Sequence, residues 1–182
     1  LCEKKINELK KIKVNYSIKK DFKYFLKKKL IPKFAELKEN FNNTEFQKFK
    51  KIKINKNQMV ISPSDLGFHN IIYSKKKLVF FDFEYAGLDD PIKLICDFFC
   101  QPDQSLSVSQ KEIFIKKIYF KNYTLNQIKS YTKIFLPFHK LKWCCIILNV
   151  FKNKNKGFKK KNFLMRSQLI KANKYFTKNF KN

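Results

Sequence analysis

The chain has 182 residues, room for one ordinary domain and short for two. Its 41 basic residues against 14 acidic ones give a formal charge of +27, but 40 of the 41 are lysine and only Arg166 is arginine, which disfavours a nucleic-acid reader built on bidentate arginine contacts. The longest uncharged runs, 66–74 and 143–151, are nine residues against the ~20 a spanning helix needs, and three scattered glycines (67, 87, 157) exclude a glycine-rich phosphate loop.

Residues 1–57 read as a helical lead-in. Phe22 and Leu26 share a face, and Phe34, Leu37 and Phe41 recur at three and four. Pro32 marks the end of one helix and the start of another, and Thr44 is positioned to cap a short helix over 45–53. The pattern then changes. Residues 58–62 form a short extended apolar run, and 70–74 and 77–83 read as two strands of a hairpin turning at Lys75-Lys76.

Asp90-Pro91 reads as a helix start, with Asp90 as cap and Pro91 in the first turn. The tail, 100–182, is helical again. Leu125, Ile128, Thr132 and Phe135 form one apolar stripe. Phe138, Leu141, Cys145, Leu148 and Phe151 form a second, restarted after Pro137; Met165, Leu169, Ala172, Phe176 and Phe180 form a third. The run 152–161 reads as a solvated connection. The expected fold is a single α+β domain, mostly helical, with a small hairpin between helical lead-in and tail.

Five cysteines, at 2, 96, 100, 144 and 145, give an odd count with no C-x-x-C, so they read as apolar filler in a reducing cytoplasm. The alternative, Cys96 and Cys100 as metal ligands on one helix face, is the weaker one.

The acids are concentrated. Seven of the 14 lie between Asp65 and Asp103, where only four lysines stand, so that window carries −3 and the rest of the chain +30. Such a cluster reads as local capping and pairing, or as a site for a hard divalent cation. The spacing favours the second. Ser62-Pro63-Ser64-Asp65-Leu66-Gly67-Phe68-His69-Asn70 places Asn70 five residues after Asp65, and Asp82-Phe83-Glu84 follows the next apolar strand. Phosphoryl transfer of the kinase type uses a loop Asp for the hydroxyl proton, an Asn five later on a metal, and an Asp after a hairpin bridging metal to phosphates.

On these residues, with Tyr85-Ala86-Gly87 and Asp89-Asp90-Pro91, segment 62–98 resembles the catalytic centre of the aminoglycoside phosphotransferase and choline kinase branch of kinase-like enzymes. Trp143-Cys144-Cys145-Ile146-Ile147-Leu148-Asn149 and Gln168-Leu169-Ile170-Lys171-Ala172 are similar to the helical tail of bacterial members with a Ser-Pro-Ser-Asp loop. The resemblance implies the C-terminal lobe of a kinase-like fold that uses ATP as phosphoryl donor, Mg²⁺, and a small hydroxyl-bearing acceptor. It implies Asp65 as the catalytic Asp, Asn70 and Asp82 as metal and nucleotide-phosphate ligands, and Glu84 as an assisting ligand. Asp97 becomes the residue that holds the catalytic loop.

The chain departs from the family at Pro63, where a His usually stands, and it has no strand-rich, glycine-bearing lobe before the loop. It is expected to be a catalytic lobe whose nucleotide-clamping lobe is missing. His69 is expected to pack the loop and His139 to end a helix. A cationic aminoglycoside suits the positive surface poorly as acceptor, and a neutral or anionic sugar-like molecule suits it better. No membrane partner is expected. The rival readings are an inactive kinase-like scaffold and, on charge alone, a basic nucleic-acid binder.

Overall fold

A computed structural model describes residues 1–14, 17–43, 55–152 and 158–180. The fold is α+β and mostly helical. The chain forms two compact units, one from residues 1–47 and 140–182, the other from 48–139.

In the first unit, α1 (Cys2–Lys10) is followed by α2 (Lys19–Phe25), a wider π-helical turn (Leu26–Leu30) and α3 (Ile31–Asn43). Pro32 was expected to separate two helices, but the helical path runs from Lys19 to Asn43. Proline fits the first turn of a helix because its missing N–H has no bond to make there, and the π turn widens the path just ahead of it. The core joins Phe22, Phe25, Leu26 and Leu30 to Leu141, Cys144, Cys145, Leu148, Met165, Leu169 and Ala172. These last three lie on α7 (Phe158–Phe180) and are the inner part of the third apolar stripe. The short helix expected over 45–53 with its Thr44 cap, and most of the connection 152–161, lie outside the described residues.

Among its described residues the second unit holds four short strands. Strand β1 (Val60–Ser62) pairs antiparallel with β4 (Gly87–Asp89), and β2 (Ile71–Ser74) pairs antiparallel with β3 (Lys77–Phe80). The hairpin is therefore as expected, shorter at both ends. Its two-residue turn carries both Lys75 (φ 48°) and Lys76 (φ 61°) in the left-handed region, as a turn matched to strand twist demands. Strand β4 was not expected: three residues beginning at Gly87 are too few to show an alternation.

Helix α4 (Pro91–Phe99) begins as predicted, the Asp90 carboxylate accepting from the Ile92 N–H at 2.8 Å with Pro91 in the first turn. Then come α5 (Val108–Lys117) and α6 (Leu125–Ile147). Ser107–Gln110 and Thr124–Gln127 form reciprocal caps at their starts. Ile92, Ile95, Cys96, Ile115, Phe120 and Ile128 form this unit's core.

Helix α6 corrects two expectations. It passes through Pro137 without restarting, so the first and second apolar stripes belong to one helix, whose later residues fall in the first unit. With the 3₁₀ turn that follows it, Leu125–Phe151 is also long and apolar enough to cross a membrane by length and composition, which uncharged-run length did not reveal. Half of its most apolar window is buried inside the protein. All five cysteines are buried and none forms a disulfide, and burial pushes the thiols of Cys2 and Cys145 up to about 11 and about 12.

Candidate active site

The two small ladders build the site by topology. From β1 the chain crosses to β2 through residues 63–70, turns, and crosses back from β3 to β4 through residues 81–86. Because β1 pairs with β4 and β2 with β3, the two crossing loops connect the same pair of ladders. Asp65 and Asn70 lie on the first loop, Asp82 and Glu84 on the second.

The register tightens this at the hairpin end. Ile71 faces Phe80, and the Phe81 N–H donates to the Asn70 carbonyl at 3.1 Å, so Asn70 stands opposite the residue that precedes Asp82. Within the first loop, Asn70 Nδ2 donates to the Asp65 carbonyl at 3.0 Å and the Asn70 N–H to the Gly67 carbonyl at 3.0 Å. This ties the two ends of the Asp-x₄-Asn spacing together. Asn70 is buried, its Nδ2 is committed to Asp65, and Oδ1 is the side-chain atom that could serve a cation.

Two residues near the carboxylates adopt left-handed backbone, Ser64 (φ 60°) beside Asp65 and Asp82 itself (φ 62°). A non-glycine residue there costs roughly 1–2 kcal/mol, though Asp with its short polar side chain bears it better than most. The Ser64 N–H donates to the buried Ser62 Oγ at 3.1 Å, which helps hold the bend.

The exposed Tyr85 hydroxyl has a raised pKa, chiefly from its hydrogen bond to Glu84 and the Glu84 charge, with burial and the charges of Asp82 and Asp65 adding to the rise. Asp65, Asp82 and Glu84 do not form a ready-made cage, since among the described residues no three His, Cys, Asp or Glu side chains are grouped to hold a metal.

The Asp65 carboxylate has two neighbours. Gln101 Nε2 donates to Oδ1 at 2.6 Å, and His69 Nε2 lies 3.5 Å from Oδ2. The His69 ring also covers Gly67, where an added Cβ would come within 2.5 Å of it, so the expected loop-packing role is joined by a place beside the carboxylate. Gln104 acts on the same loop, its Oε1 accepting from the Phe68 N–H at 3.1 Å and its Nε2 donating to the Phe98 carbonyl at 2.5 Å.

Asp97 is 3% exposed, so it does not face water. Its carboxylate meets His139 Nδ1 at 2.9 Å and Lys93 Nζ at 3.4 Å, and Lys93 also pairs with Asp89. These partners lie on α4, its approach and α6, and Gln101 and Gln104 also reach the loop. His139, expected at a helix end, is inside α6 and bonded to Asp97. Sequence reading passed over Gln101 and Gln104 because glutamine carries no motif; the Q-P-D-Q turn just past the helix was their only mark.

No family model matches the chain, and no curated protein matches it.

Proposed function

We propose that the second unit is the catalytic centre of a phosphotransferase of the kinase-like type, acting on a hydroxyl of a small molecule with ATP as donor. The observation that carries this reading is the paired crossing loops, with Asn70 bonded back to Asp65 and standing one position from Asp82 across the hairpin. The donor set suits Mg²⁺: Asn70 Oδ1, the Asp82 carboxylate and the Glu84 carboxylate are hard oxygen ligands, and two protein ligands suffice where phosphates supply others. Bound there, Mg²⁺ neutralises phosphate charge.

The chain's own residues divide the remaining work. Asp65, a part-exposed carboxylate on a bent loop, accepts the acceptor hydroxyl's proton as the oxygen bonds to phosphorus and the bond to the departing nucleoside diphosphate breaks. Asn70 joins the two tasks, its Nδ2 holding the Asp65 backbone while its Oδ1 would serve as a ligand to the cation. Asp82, held in left-handed backbone, presents its carboxylate at the end of the hairpin.

Two variants test the reading. Asp82→Ala should abolish Mg²⁺-dependent nucleotide binding in calorimetry. Asp65→Asn should keep that binding while transfer falls ~10²–10⁴-fold, the usual contribution of a positioned acid or base. Binding and turnover unchanged in both variants would refute the assignments. A scaffold that keeps the fold without turnover is the second reading, favoured by Pro63 where the family's His usually stands; nucleotide binding without transfer at any acceptor would support it.

A further inference from the structure

Asp65 sits on a loop bent by the Ser62–Ser64 bond, and its carboxylate is held in place from 36 residues downstream. Gln101 follows directly on the turn that ends α4, is 5% exposed, and precedes Pro102. The end of the glutamine side chain also lies beside Gly67. A Cβ added to Gly67 would lie 3.2 Å from Gln101 Cδ, so the loop backbone runs against the glutamine side chain. On the far side of Gly67, Gln104 takes the Phe68 N–H, and the Phe68 ring meets Phe98 edge-on at 5.8 Å. The loop is thus gripped on both sides of Gly67 by the segment 98–104.

From this geometry we propose that Gln101 is a positioning residue for Asp65, its amide fixing carboxylate oxygen Oδ1 so that Oδ2 is the oxygen offered to an incoming hydroxyl. The inference rests on the phosphotransferase reading for the hydroxyl, and on the hydrogen bond alone for the fixed carboxylate. The chemistry of the donor matters. In a chain with 40 lysines, an ion-pairing partner at this place would be the ordinary solution, and it would neutralise the charge that draws a proton. A neutral amide orients the carboxylate and leaves it anionic. His69 does not compete: at 3.5 Å from Oδ2 and half exposed, its ring is beyond a good hydrogen bond and free to yield to a substrate.

The test uses the whole chain and two independent readouts. In ¹⁵N-labelled protein, the Gln101 side-chain amide should show slowed solvent exchange, and Asp65→Ala should remove that protection and shift both amide protons. Gln101→Met keeps the buried volume without the donor. It should lower kcat roughly 10- to 100-fold, the scale of a misplaced catalytic group, with KM for the nucleotide unchanged. The pair Asp65→Glu with Gln101→Asn, which moves one methylene across the contact, should recover part of the loss of either change alone. A Gln101 amide indifferent to Asp65→Ala would overturn the proposal, and so would wild-type kcat in a folded Gln101→Met variant. Slow or absent transfer is what a catalytic lobe by itself is expected to show, so the phosphotransferase reading stands or falls on the Asp82→Ala binding test, and the amide experiment separately decides whether Gln101 holds Asp65.

Discussion

Burying a carboxylate is costly unless partners replace the lost water, and Asp97 obtains them from His139 and Lys93. Asp97→Ala should therefore destabilise the protein by about 1–3 kcal/mol in urea unfolding, because His139 loses its hydrogen-bond partner in a part-buried place while Lys93 keeps Asp89. A loss below about 1 kcal/mol would mean that the network is solvated. By contrast, His69→Ala removes a long, half-exposed contact and should change stability by less than about 1 kcal/mol. The need for a partner at Asp97 was legible, since Leu94-Ile95-Cys96-Asp97-Phe98-Phe99 is otherwise apolar. The partner's identity was not, because His139 comes from a helix 42 residues away and only packing brings the two together. Asp65, Asn70 and Asp82 were legible as a set through spacing, whereas Gln101 and Gln104 act through reach, which spacing does not encode.

Local chemistry decides the elements where it is strong. Asp90-Pro91 starts α4 and apolar periodicity marks α7, while the T-x-x-Q and S-x-x-Q caps of α6 and α5 were in plain view and went unread. Pro137 misled in the other direction: a proline argues for a break, but apolar residues on both sides of it bury and keep α6 continuous. The hairpin turn is the weakest element by its own sequence. Two lysines hold left-handed backbone that Asn-Gly adopts with little strain. Replacing the pair by Lys75→Asn with Lys76→Gly should stabilise the protein by about 1 kcal/mol, the relief of left-handed strain less the entropy that glycine adds to the unfolded chain. Chemical denaturation measures this, and a loss of stability would show that the lysines make contacts worth more than the strain.

Across the whole chain, charge and thiols give the broadest expectations. A formal charge of +27 repels itself, so the thermal midpoint should rise between about 50 mM and 0.5 M sodium chloride as the Debye length shrinks from over 10 Å to a few ångströms. A midpoint that is flat or falls with salt would mean that attractive pairs outweigh the excess. The five buried thiols should resist an aromatic disulfide reagent until the chain unfolds, with Cys2 and Cys145 held further from thiolate by burial. The confinement of seven acids to 65–103 was the one feature of this scale that pointed to a site, and it lies within the second unit. The most direct test of that site uses Mn²⁺ as a paramagnetic stand-in for Mg²⁺, added with nucleotide to ¹⁵N-labelled protein. The Asn70 side-chain amide and the backbone of 81–84 should broaden first, followed by Asp65. Broadening centred on Asp89, Asp103 or the acids of the first unit, with Asn70 and Asp82 unaffected, would contradict the phosphotransferase account.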